Sequence, residues 1–335
     1  MLIINDFFKR KKEAVSMQME LIKTATNGKI ISATRFMKQK SFDKEDRRDN
    51  IYIYPPFLYQ LIMTLNLIKG NEDVHIFEEE PNRYKRFLLN LRKRNLYVSM
   101  YREPFFEYIE HIKKYKYLKK IFVESPLHKN IMVKHGFDET KIIVSLTPAK
   151  IRRKKSSKKY DEKKVNLLFA SWNNKEGNPL QERGLIYLLD LLVLNPHLQL
   201  TVLLRDDRTK VFKEEIKKRK LIKRVKLVDV LEKDLEKEFD NSDFVVYPIQ
   251  KKITKDIPNS LIDGLSRGKP IILSTIFGLS KLVTDKEAII IEPNTKPIKL
   301  QISSKIYKNM SDRAFRFSAE YTKEKYVESV LENYE

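Results

Sequence analysis

The sequence contains no cysteine, which excludes disulfides, thiolate metal sites and cysteine nucleophiles; the lack of disulfides fits a reducing compartment. Glycine and proline are scarce, at 8 and 13 residues, and no low-complexity tract occurs, so disordered and fibrous classes are excluded. Neither a P-loop nor a Gly-x-Gly-x-x-Gly run is present. The five histidines, at 75, 111, 128, 135 and 197, match no ligand spacing, so no metal is expected. There is no Asp-x-Asp motif either; the adjacent pair Asp206 and Asp207 reads as a loop. Long apolar runs are also missing. Phe57 to Ile68 is too short to span a bilayer, and Leu185 to Leu204 is interrupted by Asp190 and by Asn195-Pro196, so neither reads as a transmembrane segment. Met1 leads at once into Leu-Ile-Ile-Asn-Asp, which is no secretory signal.

What is present is a globular composition, 41% hydrophobic and 10% aromatic, over 335 residues. That length suits two domains of roughly 150 residues each. Lysine and arginine number 67 against 45 acidic residues, a net charge of +22. Such an excess favours polyanionic partners: nucleic acid, an anionic membrane surface or phosphorylated substrates. The plainer reading is a lysine-rich source composition on solvated faces. Lysine and glutamate enrichment without cysteine also suits a thermophile.

Strand-like and helix-like segments alternate along both halves. The first half reads as strands at 2–4, 30–33, 74–77, 96–100, 120–123 and 141–144, with helices at 13–25, 57–68, 81–94, 105–117 and 126–135 between them. Residues 150–164, basic and without apolar period, read as the linker. The alternation then resumes, with strands at 165–170, 198–204, 225–228, 244–247, 271–274 and 288–291 and helices between, and closes with one amphipathic helix over 311–334. The expected organisation is an α/β chain of two doubly wound parallel sheets. The boundaries are residues 1–150, a basic linker at 151–164, a second domain at 165–310 and a closing helix at 311–335. Ligands of such sheets bind beyond the carboxyl ends of the strands, and two of them facing each other make a cleft.

The most informative stretch runs from Lys255 to Ser274: Lys-Asp-Ile-Pro-Asn-Ser-Leu-Ile-Asp-Gly-Leu-Ser-Arg-Gly-Lys-Pro-Ile-Ile-Leu-Ser. It reads as a loop, a helix and a strand. Pro258, Asn259 and Ser260 stand at the helix start, where free N–H groups and the dipole favour a phosphate or a sugar hydroxyl. Asp263 lies one turn in, within reach of a ribose diol. Taken alone, a cap and dipole compensation explain the same residues.

The segment resembles the donor-site motif of GT-B glycosyltransferases of group 1, also called family 4: an acidic residue, seven others, a second acidic residue on a helix, then a small-residue, Gly, Pro run. The match covers Ile257 to Pro270, with Asp263 at the second acidic position. Other stretches fit in order: Val165 to Ala170 with Arg183-Gly184-Leu185, Asp243 to Pro248, Phe277 to Ser280, Ala288 to Pro293 and, in the first half, Lys120 to Ser145. The resemblance implies a GT-B fold, two Rossmann-like domains with the C-terminal helix returning to the first. It implies retaining, metal-independent hexosyl transfer from a UDP- or GDP-sugar to a glycan, a lipid-linked or a protein-linked acceptor, with no cofactor. It assigns Asp263, Ser260, Asn259 and Pro258 to the donor, with Arg183, Lys175 and Arg205 as basic groups for its diphosphate.

Two departures stand out. The first acidic position holds Lys255, which cannot accept a hydrogen bond, so Asp256 beside it is the candidate substitute. The loop after 96–100, where the family often places His or Asp, offers Glu103 as the polar catalytic partner. Glu78 to Glu80 line the cleft or balance nearby lysines. These departures motivate a rival reading, a GT-B-like protein that no longer catalyses; a basic nucleic-acid binder is a third, with no recognised module behind it. A cytoplasmic location is expected, with the basic first half able to dock on the inner face of an anionic membrane near a lipid-phosphate acceptor.

Overall fold

The structure, a computed structural model, describes residues 1–5, 14–33, 50–77, 82–91, 93–101, 104–170, 179–204, 210–229, 235–251 and 257–334. The chain divides into two compact units. Unit 1 is Met1–Pro148 together with Lys323–Glu335, and unit 2 is Ala149–Thr322.

Unit 1 holds strands β1 Leu2–Asn5, β2 Lys29–Ala33, β3 Ile51–Tyr54, β4 Val74–Phe77, β5 Leu96–Met100, β6 Leu118–Val123 and β7 Ile142–Val144. They form one parallel sheet in the order β3-β2-β1-β4-β5-β6-β7. Short apolar strands such as Leu-Ile-Ile-Asn and Val-His-Ile-Phe suit a sheet buried on both faces. Successive side chains alternate between faces, and two cores result. On one face Leu2, Ile4, Ile76, Val98 and Ile121 pack with Met63, Leu67, Leu88, Ile109 and Met132. Those partners come from α2 Pro56–Lys69, α3 Arg83–Asn90, α4 Phe106–Ile112 and α5 Pro126–Lys134, while α1 Ala14–Thr26 lies on the other face. There Ile3, Ile30, Tyr97 and Phe122 meet Met19 and Ile22 of α1 and Tyr326 and Val330 of the closing helix Lys323–Leu331. Strand β3 was not foreseen. Its four residues, Ile-Tyr-Ile-Tyr, end against Pro55-Pro56 and form an edge too short to show a period.

Unit 2 holds β8 Val165–Phe169, β9 Leu198–Leu204, β10 Val225–Asp229, β11 Phe244–Tyr247, β12 Ile271–Ser274 and β13 Ala288–Ile291. They too are parallel, in the order β10-β9-β8-β11-β12-β13. Its helices are α6 Pro179–Glu182, α7 Leu185–Leu194, α8 Lys210–Lys218, α9 Leu235–Asn241, α10 Asn259–Ser266 and α11 Ser304–Phe317; the closing helix is α12. Helix α7 buries Leu185, Leu188, Leu189, Leu191 and Leu192 almost completely. At about 1.5–3 kcal/mol per buried leucine, α7 outweighs any surface ion pair on this unit, each worth at most about 1 kcal/mol.

Residues 150–164 run along unit 2 and are bonded to it. Lys154 N donates to Ser266 O at 3.1 Å and Ser156 N to Arg267 O at 3.0 Å. The Arg153 guanidinium lies 3.9 Å over the Phe315 ring, and Tyr160 stacks on Tyr307 at 3.9 Å. These partners lie far away in sequence, so a local search for periodicity sees only a charged stretch. The tail also differs from the single helix expected over 311–334. Ser303 caps α11 by accepting from Ile306 N at 3.4 Å. A 3₁₀ turn Ser318–Tyr321 follows, and extended Thr322 separates α11 from α12. None of the described helices is long and apolar enough to cross a membrane.

Candidate active site

Numbered within its own unit, the unit 2 sheet runs 3-2-1-4-5-6, so the order reverses between β8 and β11. Right-handed crossovers send the helices that follow these two strands to opposite faces, and doubly wound sheets bind ligands at the carboxyl ends of such strands. The backbone at this point is tightly specified. Gly184, the residue before α7, has φ +77°, a left-handed conformation that glycine adopts without cost. A Cβ there would stand 1.8 Å from the carbonyl oxygen of Pro248, just past β11. The chain leaving α6 is thus pressed against the chain leaving β11.

Arg183 precedes this contact, half-buried. Its guanidinium donates to the Tyr247 hydroxyl at 2.6 Å. Tyr247, the last residue of β11, is held edge-on against Phe169 at 5.5 Å and packs on Phe277 at 5.1 Å. The aromatic end of the strand therefore fixes a cation at the carboxyl edge. Gln250 stitches the same rim. Its N–H donates to Glu182 O at 2.8 Å, its side-chain amide donates to Pro248 O at 2.7 Å, and its Oε1 accepts from Asn294 N at 2.6 Å. Ser274 Oγ donates to Ile249 O at 2.6 Å and Thr275 Oγ1 to Glu292 at 2.7 Å. A rim held by this many bonds at the ends of β11, β12 and β13 is preorganised.

Helix α10 starts on the same edge. Pro258 is its N-cap and supplies no side-chain cap, so the N–H groups of the first turn have no acceptor from that residue. Asn259 Oδ1 is buried without a hydrogen-bond partner among the described residues. Asp263, in the helix's second turn and largely buried, accepts from Lys150 N at 2.7 Å and Ile151 N at 3.2 Å through Oδ1. The small residues of the segment serve packing. A Cβ on Gly264 would come 2.5 Å from Val245 Cγ2, so glycine lets α10 lie against β11. Gly268, φ +70°, ends the helix. Lys269 is buried, donates to Asp240 O and Ser242 O, and is pulled down to about 8 by that burial; it stands at the amino end of β12, on the other edge.

Of the expected site residues, Arg183, Pro258, Asn259, Ser260 and Asp263 thus fall on the carboxyl edge of unit 2 or on the helix that starts there. Asp256, Glu103, Lys175 and Arg205 lie outside the described residues, as do Lys255 and Glu78 to Glu80. Sequence reading did not single out Tyr247, Gln250, Thr275 and Glu292 as site residues. Their one available signal was position, each at or just past the end of a strand. Among the described residues no cluster of three His, Asp or Glu could hold a metal ion. Unit 1 has the same reversal between β1 and β4. Buried Asn5 closes it, donating to Phe77 O at 3.1 Å. Near the carboxyl end of β6, buried Glu124 accepts from Thr147 Oγ1 at 2.8 Å.

Solved structures share this fold over nearly the whole chain. A glycosyltransferase from Rickettsia africae matches with a TM-score of 0.73 at 15% identity, covering 99% of this chain and 97% of that one. Anabaena HepE, solved with UDP and glucose, matches with a TM-score of 0.73 at 12% identity, covering 99% and 98%. The lipopolysaccharide outer core galactosyltransferase WaaB matches at 0.68 and 12% identity, again over 99% and 98%. Together they show the GT-B fold. A search of curated proteins by sequence found no match. The model of the family described as glycosyl transferases group 1 matches residues 153–326, more than half of the chain, and the protein belongs to that family.

Proposed function

We propose that this glycosyltransferase moves a hexose from a nucleoside diphosphate sugar to a hydroxyl acceptor, with retention of anomeric configuration and without a metal ion. The observation that carries the reading is the coincidence of the family match with the switch point of unit 2. There Arg183, the Gly184–Pro248 contact and the start of α10 share one edge. Diphosphate is the leaving group of such a transfer, and its charge grows as the sugar–oxygen bond breaks. A fixed guanidinium and the positive end of a helix stabilise that growing charge best where water is excluded. Arg183 takes the diphosphate, Pro258, Asn259 and Ser260 present the helix N-terminus, and Asp263, one oxygen of which also accepts from Lys150 N and Ile151 N, is assigned to the ribose. Lys175 and Arg205 add positive charge, Asp256 replaces the carboxylate missing at Lys255, and Glu103 serves the acceptor side. The UDP bound by Anabaena HepE supports a uridine donor, with GDP-sugar as the other candidate. WaaB's substrate supports a glycan acceptor, and the net charge of +22 suits one that carries phosphate.

A melting-temperature screen with UDP, GDP, ADP and their sugar conjugates tests this. Ligand at 100 times its Kd stabilises the native state by about 2.7 kcal/mol, so one nucleotide should raise the midpoint and name the base. If no nucleotide shifts it, the donor reading fails. Lys255, in place of the usual acid, favours a second reading, a chain that binds donor without turning it over. Binding without transfer, with transfer appearing in Lys255→Glu, would establish that second reading.

A further inference from the structure

Two neighbouring helices of unit 1 turn apolar side chains to solvent in register. On α2, Phe57, Leu61, Leu65 and Ile68 lie on one stripe and are 70, 55, 38 and 39% exposed. The opposite stripe, Tyr59, Met63 and Leu67, is buried in the core. A helix apolar on both faces is normally covered on both. On α3, Tyr84 and Phe87, with Leu91 just after it, are 49, 61 and 51% exposed, while Leu88 and Leu89 face inward. The helices are in contact, and Thr64 Oγ1 meets the Tyr84 hydroxyl at 2.8 Å. The exposed stripes therefore form one surface, and an exposed apolar patch of this extent marks an interaction site.

The charge on the two helices has one sign. Neither α2 nor α3 contains an acidic residue, and Lys69, Arg83 and Lys93 are exposed at the rim of the patch. Burial, then the nearby cations Arg86, Lys85, Lys114 and Arg83, hold His111 at about 4, which registers the positive field on this side of the unit. A two-fold partner made of the same surface would set these cations against one another. A bilayer bearing anionic headgroups meets both features: apolar side chains enter the headgroup boundary and the cations meet phosphate.

We propose that the α2–α3 face docks unit 1 on an anionic lipid bilayer, with Phe57, Leu61, Phe87 and Leu91 entering the interface and Lys69, Arg83 and Lys93 contacting headgroups. The proposal goes beyond the donor reading and does not rest on it, since vesicle binding needs no sugar nucleotide. The test is flotation of the full chain with vesicles of phosphatidylglycerol and phosphatidylcholine against vesicles of phosphatidylcholine alone. Binding should require phosphatidylglycerol and weaken at high salt. Phe57→Ser with Phe87→Ser should lower affinity by about tenfold or more, with the melting temperature unchanged because both side chains are exposed. Arg83→Glu with Lys93→Glu should abolish the preference for phosphatidylglycerol. No flotation, equal flotation on both vesicles, or flotation that both double variants retain would overturn the proposal. So would a dimer in light scattering that Phe57→Ser with Phe87→Ser converts to monomer, which would give the patch to a second copy.

Discussion

Gly184 and His75 show how much can rest on one residue. At Gly184 any other side chain meets a strained left-handed backbone and the Pro248 carbonyl at once. Gly184→Ala should cost about 3 kcal/mol and weaken nucleotide binding, measured as a lower denaturation midpoint together with a raised Kd. His75 is enclosed in the β4–β5 core between Ser99 Oγ and the Tyr334 hydroxyl and stacked on Phe77. Desolvation lowers it to about 3. The unfolded chain protonates this histidine near pH 6.5 while the folded one does not. Stability is therefore full above about pH 6.5 and falls as pH drops toward 3, by up to roughly 1.4 kcal/mol per pH unit. Comparing denaturant midpoints at pH 7 and pH 5 should show this loss, and His75→Asn should flatten the slope. Neither residue was legible as special in sequence. Gly184 was read only within Arg183-Gly184-Leu185, a stretch that fits the family, and the contact that demands a glycine comes from Pro248; His75 was one of five scattered histidines, and its partner Tyr334 lies 259 positions away.

At the level of elements, every strand but the edge strand β3 was read to within a residue or two, because buried parallel strands are short apolar runs between polar stretches. Helices were less exact. The helix read from Arg183 to Leu194 begins only at Leu185, with Gly184 separating it from α6, and Thr322 divides the tail. Residues 150–164 carry no period because their order comes from distant partners such as Phe315, Tyr307 and Ser266. The donor segment was legible because its glycines are set by the approach of α10 to β11 and by the end of that helix. Helix α12 gives an element-scale prediction. Its docking on unit 1 ends with Tyr334, so Tyr334→Phe should remove the bond to His75 and cost about 1 kcal/mol. The midpoint of the unfolding transition assigned to unit 1 reads this loss.

The whole molecule contains separately packed units with their own sheets, and such chains do not melt as one two-state body. Calorimetry should resolve two transitions, and a bound nucleotide should raise only that of unit 2; one transition shifted as a whole would show the units to be thermodynamically coupled. Unit 1 is also discontinuous, built from the first and last stretches of the chain. One face of its sheet, around Ile3, Ile30, Tyr97 and Phe122, is completed by Tyr326 and Val330. A ribosome delivers those two residues after all of unit 2, which is continuous from Ala149 to Thr322. Domains ordinarily fold in the order they are synthesised. Here the half that emerges first must wait with an apolar face uncovered while the later half closes, so the beginning of the chain is the last part to finish folding.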